Sequence, residues 1–183
     1  MKRIITWLLT LATFGAAEAQ EPEKESTIMT PQELMQLAIR LSEENVEQGG
    51  GPFGAVIARN GEVIATGTNR VTADCDPTAH AEVSAIRAAA RKLGSFDLSG
   101  CEIYTSCEPC PMCLGAIYWA HLDRMYYGND KHDAARIGFD DAFIYEELDR
   151  DPSQRRLRMQ ELLPEEAYRA FEMWEKKSDK VEY

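Results

Sequence analysis

The chain is short of positive charge. Its 183 residues include 20 lysines and arginines against 31 aspartates and glutamates, which gives a formal net charge of −11 at pH 7. Nucleic-acid binding depends on lysine and arginine side chains that neutralise phosphates, so this deficit argues against a nucleic-acid partner. It does not exclude a local basic patch. The sequence has no internal repeat, and its 44% hydrophobic and 28% charged residues are typical of a folded domain.

The apolar run near the start, residues 4–14, is shorter than the roughly 20 residues that cross a membrane comfortably. It follows Lys2 and Arg3 and precedes small residues that end in Ala17-Glu18-Ala19. This order predicts a secretory signal over residues 1–19, followed by a flexible tether over 20–27. We therefore expect an exported protein, periplasmic or secreted, without stable membrane association after cleavage. The alternatives are an uncleaved anchor and a mis-assigned start, the latter implying a cytoplasmic protein.

The cysteines are few in number and unevenly placed. The five cysteines are an odd number, and Cys107, Cys110 and Cys113 fall within seven residues. An exported protein could use cysteines in disulfides, but tight clustering is more typical of a metal site. Cys75 and Cys101 have no role that the sequence indicates, and a disulfide between them stays open.

Hydrophobic spacing predicts alternating strands and helices within one domain over residues 28–183. Thr30-Pro31-Gln32-Glu33 predicts the start of the first helix, because it combines an N-cap threonine, a proline at the first position and a glutamate three residues after the cap. The other predicted elements are strands over 53–59, 62–68, 102–106 and 124–127 and helices over 80–93, 110–120 and 164–176. Asn60-Gly61 predicts a hairpin between the first two strands. This order predicts an α/β fold with helices on both faces of a mixed sheet.

Two motifs at predicted helix starts carry the chemistry. His80-Ala81-Glu82 precedes Pro109-Cys110-Pro111-Met112-Cys113 by about 30 residues, and this order is the signature of the zinc deaminases. Cys110 and Cys113 share one helix face, and a helix N-terminus favours the thiolates that zinc requires. With His80 as the third ligand, a fourth position stays open for water, as in catalytic sites. Glu82 lies two residues from His80 and is predicted to be the general acid and base.

Each motif alone has a plainer interpretation. A lone Cys-x-x-Cys could be a redox pair or half of a zinc finger, and Glu82 could be an ordinary acid in a first helical turn. Cys107 is predicted to line the pocket, but as a fourth zinc ligand it would close the site. His121 and His132 stand outside the motifs and are predicted to lie on the surface or in loops.

From about Gly51 to Tyr183 the chain resembles the guanine deaminases of the cytidine deaminase superfamily. The segments that carry the resemblance are 51–56, 76–82, 105–119, 133–135, 138–145 and the final Glu182-Tyr183. The Asp-Pro-Thr-Ala-His-Ala-Glu segment and the Glu-Pro-Cys turn also occur in tRNA adenosine deaminases. Gly138-Phe139-Asp140-Asp141 and the terminal tyrosine favour guanine deaminase.

The resemblance implies a cytidine deaminase-like, three-layer α/β/α sandwich with a central mixed sheet of about five strands. It implies a homodimer that exchanges C-terminal segments. It also implies that Asn69 and Asp141 hydrogen-bond a purine, that Phe53 packs on the purine ring, and that Tyr183 closes the site from the partner chain. Each of these four residues has a plainer alternative. Asn69 could be a turn residue and Asp141 a helix cap. Phe53 could be a core side chain, and Tyr183 a frayed terminus.

The function expected from these features is zinc-dependent hydrolysis of guanine to xanthine and ammonia. The substrate would then be a small purine base, with no nucleic-acid partner. Two alternatives stay open at this point. One is deamination of another amine, such as tRNA adenosine, cytosine or an aminotriazine. The other is a non-catalytic exported zinc-binding or redox protein.

Overall fold

The structure is a computed structural model that describes residues 27–182. The predicted signal over residues 1–19, most of the predicted tether and Tyr183 lie outside these residues. No helix within residues 27–182 combines the length and the apolar character that a membrane crossing requires.

Four strands form one mixed sheet in the order β2-β1-β3-β4. They are β1 (Gly54–Arg59), β2 (Glu62–Thr68), β3 (Glu102–Cys107) and β4 (Arg124–Asn129). Strand β1 runs antiparallel to β2 and β3, whereas β3 and β4 are parallel. The predicted mixed sheet is confirmed. The expectation of about five strands was wrong for the described residues, because Asp130 caps a helix directly after β4 and the chain continues as helices.

Seven α-helices are present in the described part of the chain. They are α1 (Pro31–Glu47), α2 (Val71–Asp74), α3 (Ala81–Leu93), α4 (Pro111–Trp119), α5 (Lys131–Arg136), α6 (Ala142–Asp149) and α7 (Pro164–Lys176). The predicted helices correspond to α1, α3, α4 and α7. The predicted capping box is present, since the Thr30 side chain accepts from the Glu33 backbone N–H and the Glu33 carboxylate accepts from the Thr30 backbone N–H.

The sheet separates two apolar cores, because alternate side chains along a strand point to opposite faces. On one face of β1, Ala55 and Ile57 pack with α3 and α4. On the other face, Val56 and Ala58 pack against Leu34 and Ala38 of α1. Helices therefore cover both faces, which confirms the three-layer α/β/α arrangement.

A tight turn and a close backbone contact fix the positions of β1, β2 and the start of α3. The hairpin between β1 and β2 turns at Asn60 and Gly61, whose φ angles of 52° and 81° are those of the predicted Asn-Gly turn. Gly67 of β2 lies so near α3 that a Cβ there would be 2.5 Å from the Ala85 nitrogen and nearer still to the Ala81 oxygen. The first turn of α3 is thus held directly on the sheet.

Candidate metal centre and active site

The start of α3 presents His80 and Glu82. His80 is the N-cap of the helix, with extended backbone angles of φ −70° and ψ 159°, and Glu82 lies in the first turn. The Gly67 contact beneath this turn holds both residues against the sheet. The imidazole Nδ1 of His80 points to the start of α4, where the two motif cysteines lie.

The start of α4 presents Cys110 and Cys113. Cys110 is the N-cap and Pro111 occupies the first helical position, where its missing N–H costs nothing. Cys113 follows one turn later and is fully buried. Strand β3 ends three residues before Cys110, so the sheet edge delivers both sulfurs to His80.

The three donor atoms have the spacing of a zinc site. His80 Nδ1 lies 3.6 Å from Cys110 Sγ and 3.5 Å from Cys113 Sγ, and all three atoms lie within 4.8 Å of one another. A tetrahedral zinc ion with Zn–S of about 2.3 Å and Zn–N of about 2.0 Å separates its nitrogen and sulfur ligands by about 3.5 Å. One imidazole and two thiols at this spacing fit zinc and leave one coordination position open.

The electrostatics of the centre favour a thiolate at Cys110. A hydrogen bond from the Cys113 thiol lowers the pKa of Cys110 to about 4, and the His80 ring adds to the effect. The same bond, together with burial, raises the pKa of Cys113. Hydrogen bonding to Cys110 raises the pKa of His80. These groups therefore supply the anionic sulfur that binds zinc.

Glu82 faces the donor atoms but is not one of the cluster. Its side chain is 6% exposed, and burial raises the pKa of the carboxyl group. The Cys113 sulfur lies 3.3 Å from Oε2 and the Thr105 hydroxyl lies 3.5 Å from Oε1. A buried carboxylate of raised pKa next to an open metal position can take a proton and return it.

A cavity of about 330 Å³ opens in front of the metal centre. Three of the four predicted substrate contacts, Phe53, Asn69 and Asp141, line it together with His80, Glu82 and Cys110. The Phe53 ring meets that of Phe139 edge to face, with 4.9 Å between centroids. The fourth predicted contact, Tyr183, lies outside the described residues.

Asn69 and Asp141 each occupy a local structural position, a turn and a helix N-cap, as well as a place in the cavity wall. The Asn69 Oδ1 accepts from the Val71 backbone N–H at 3.3 Å, as a turn residue would. Asp141 is the N-cap residue of α6, although its side chain makes no capping hydrogen bond. Burial raises the pKa of the Asp141 carboxyl group.

The sequence profile of the cytidine and deoxycytidylate deaminase zinc-binding region matches residues 29–129, which include the three donor residues and Glu82. The chain belongs to the cytidine and deoxycytidylate deaminase family. It is a zinc-dependent nucleobase deaminase, and the zinc cofactor and the deaminase class predicted from the two motifs are confirmed.

This deaminase is 47% identical to the guanine deaminase of Bacillus subtilis (strain 168) over 156 residues, which are 85% of this chain and all of that relative. An X-ray structure of guanine deaminase from Bacillus subtilis superposes with a TM-score of 0.82 at 47% identity, over 85% of this chain and 99% of that one. A structure of guanine deaminase from Nitrosomonas europaea gives a TM-score of 0.61 at 32% identity, over 71% and 80%. The tRNA-specific adenosine deaminase of Aquifex aeolicus (strain VF5) is 38% identical over 51% of this chain and 62% of that protein.

The deaminase keeps its other cysteines away from the donor cluster. Cys107 lines the cavity as a buried thiol that donates to the Asp130 carbonyl at 3.7 Å, and burial raises its pKa to about 11. Cys75 is exposed, Cys101 is buried in the core, and both are free thiols. The disulfide between Cys75 and Cys101, which the sequence left open, is not formed among the described residues.

Several cavity residues of the deaminase were missed in the sequence. Lys131, Phe139 and Ile144 follow β4 and reach the cavity from α5, α6 and the loop between them. Phe139 and Ile144 lie in the segment 138–145 that carries the resemblance, but nothing in it marks these two side chains, since only the return of the chain to the end of β3 brings them to the cavity. Asn45 did carry a signal: it occupies a buried position that continues the inward face of α1, where an apolar residue is expected.

Proposed function

We propose that this deaminase hydrolyses guanine to xanthine and ammonia. The observation that carries the proposal is a His-Cys-Cys centre beside a buried carboxylate, facing a cavity of about 330 Å³. That volume lies in the range of small-molecule sites. The substrate is proposed from the likeness to guanine deaminase, which extends over the whole of the Bacillus subtilis relative.

We propose that Glu82 carries both protons of the reaction. His80, Cys110 and Cys113 would hold zinc, which would act as a Lewis acid and lower the pKa of bound water to about 7. Glu82 takes a proton from the attacking water and passes it to N3 of guanine as the bond between oxygen and C2 forms. It then moves the remaining hydroxyl proton to the amino group. The C2–N bond breaks, ammonia leaves, and C2 becomes the carbonyl of xanthine.

The cavity residues are proposed to orient the purine. An Asn69 amide can pair with the ring edge, and the Asp141 carboxylate can accept from a purine N–H. Phe53 offers an aromatic surface for the ring, as aromatic side chains do for nucleobases. The support is that all three line the cavity next to Glu82.

The chief rival is deamination of adenosine in tRNA. The match to the tRNA-specific adenosine deaminase of Aquifex aeolicus covers only half of this chain, whereas the match to guanine deaminase covers 85%. A net charge of −11 also opposes binding of a phosphate backbone. Both observations favour a free base over a nucleic acid.

We also propose that the protein is a homodimer with exchanged C-terminal segments and that it is exported. Support for the dimer comes from residues 156–179, which are exposed throughout. They include the aromatic side chains of Tyr168, Phe171 and Trp174 on α7. An exposed helix of this kind is stabilised when a partner covers its apolar face. In this dimer Tyr183 is proposed to close the partner's cavity.

Export is proposed from the signal-like pattern of residues 1–19 alone.

The test is ammonia release by the purified, zinc-loaded protein. Guanine, guanosine, adenine, cytosine and an aminotriazine are supplied in parallel, and bound zinc is measured per chain. Release from guanine alone is expected. Release from another amine, with zinc at one per chain, would keep the deaminase chemistry and overturn the choice of guanine.

A further inference from the structure

We infer that Asn45 of α1 is a positioning residue for the substrate cavity. Its side chain holds the backbone of Asn69 and of the loop before β1, and so fixes where Asn69 and Phe53 face the purine. The inference rests on the proposed function for the roles of those two residues. Asn45 itself does not line the cavity.

The contacts of Asn45 account for both N–H groups of its amide. Nδ2 donates to the Gly51 carbonyl at 2.7 Å and to the Asn69 carbonyl at 2.9 Å. The residue is only 7% exposed, so these bonds are shielded from water. One side chain therefore joins the end of α1 to the loop before β1 and to the residue that follows β2.

The loop is packed around this amide without room to shift. A Cβ at Gly50 would lie 2.7 Å from Asn45 Cγ, and a Cβ at Gly51 would lie 3.1 Å from Asn69 Cγ. The Gly50 backbone N–H also donates to the Asn45 carbonyl at 2.8 Å. The glycines thus let the loop close onto Asn45 on one side and onto Asn69 on the other.

The same network reaches the second cavity residue. The Asn69 backbone N–H donates to the Phe53 carbonyl at 3.1 Å, and the Phe53 N–H donates to the Gly51 carbonyl at 2.8 Å. Gly51 accepts from both Asn45 and Phe53. Without the Asn45 amide, the buried Asn69 carbonyl loses its donor and the half-buried Gly51 carbonyl keeps only that of Phe53, and a buried group without a partner moves to find one. A displacement of about 1 Å in a binding group can cost about 100-fold in rate.

The test uses Asn45→Ala and Asn45→Asp, the latter keeping the shape but replacing the donors with an acceptor. Both are expected to raise KM for guanine by about 10-fold or more with a smaller change in kcat, because uniform binding is lost. In an Asn69→Ala background the Asn45 substitution should have a smaller effect, because only its hold on Phe53 then matters for binding and residues that act as a unit are non-additive. Gly51→Ala, which crowds Asn69 from the other side, should raise KM in the same way.

Ser42→Ala is the matched control. Ser42 is buried on the same helix, but its hydroxyl donates only to the Ile39 carbonyl within α1. Its KM for guanine should equal that of the unmodified protein. Equal losses from Asn45→Ala with and without Asn69, or a loss confined to kcat, would overturn the positioning role.

Hydrogen exchange separates this inference from the proposed substrate. The backbone amides of Phe53, Asn69 and Val71 should exchange faster in Asn45→Ala than in Ser42→Ala, whatever the substrate is. If the unmodified protein does not deaminate guanine, the proposed function fails, and exchange alone decides whether Asn45 holds the loop. Unchanged exchange at these three amides would overturn the inference in either case.

Discussion

Glu82 has the burial, the raised pKa and the position that a proton carrier needs, and it is separate from the metal donors. Glu82→Gln is therefore expected to lower kcat by about 100- to 10,000-fold, the usual contribution of a positioned acid–base group. Bound zinc should stay at one per chain, because His80, Cys110 and Cys113 are untouched. Ammonia release and zinc content are measured on the same sample. A fully active, zinc-loaded variant would contradict the role of Glu82.

Cys107 and Cys113 are both buried thiols of one short segment, and only the second belongs to the donor cluster. Cys113→Ala is expected to abolish stable zinc binding, because two protein ligands remain. Cys107→Ala should keep zinc and most of the activity, since Cys107 instead donates to the Asp130 carbonyl. Zinc per chain after dialysis is the measurement. Zinc loss from Cys107→Ala would restore the four-ligand interpretation.

Among individual residues, those that share a local motif could be predicted from the sequence. His80, Glu82, Cys110 and Cys113 could be found because helix starts impose short, recognisable spacings. Lys131 and Phe139 could not, because their places depend on how the chain returns to the site after β4. Asn45 is an intermediate case. A polar residue on the inward face of α1 indicates a buried hydrogen bond, but the sequence does not show which group accepts it.

Among elements, those with local start and stop signals were the ones predicted. Thr30 begins α1 with a capping box, and Gly94 ends α3 with a φ of 65° that favours glycine. The short helices α2, α5 and α6 were missed, because helices of four to eight residues depend on tertiary packing more than on propensity. The fifth strand was expected from the resemblance alone and had no pattern in the described residues.

The contact of β2 with α3 links the stability of the fold to the metal centre. Gly67→Ala would force the first turn of α3 off the sheet, because the added Cβ meets backbone of Ala81 and Ala85. We expect a loss of about 1–3 kcal/mol in the free energy of unfolding, as for other overpacked sites. Zinc affinity should fall with it, since His80 moves with the turn.

Gly115→Ala is the control for this substitution. Gly115 lies within α4, and a Cβ there would meet nothing within 4 Å. The free energy of unfolding should rise by up to about 1 kcal/mol, the difference in helix propensity between alanine and glycine. Thermal and urea unfolding of both zinc-loaded variants compare the two. Equal stability of Gly67→Ala and the unmodified protein would show that α3 can yield.

At the scale of the whole molecule, the apolar surface is unevenly distributed. The three-layer core is covered, whereas α7 exposes Phe171 at 68% and Trp174 at 42%. Exposed aromatic side chains on one helix carry a free-energy cost of hydration that a partner surface would remove. A groove lined by Phe143, Leu148, Leu157 and Met159 is also largely apolar, although Glu147, Arg155 and Arg156 contribute to its wall. In a dimer, α7 of one copy could cover the apolar groove of the other, and both apolar surfaces would then be removed from water.

Phe171→Asp is the substitution that tests this assembly. It places a charge on the apolar face of α7 and is expected to convert dimers to monomers at micromolar concentration, because an unpaired charge is costly to bury. Sedimentation velocity on the zinc-loaded protein measures the mass. Glu172→Gln, the next residue and also exposed, should leave the mass unchanged.

If the unmodified protein is already monomeric, the exchanged dimer is wrong. If Phe171→Asp stays dimeric, α7 is not the segment that joins the copies. Loss of guanine turnover together with the dimer would show that the partner chain completes the cavity.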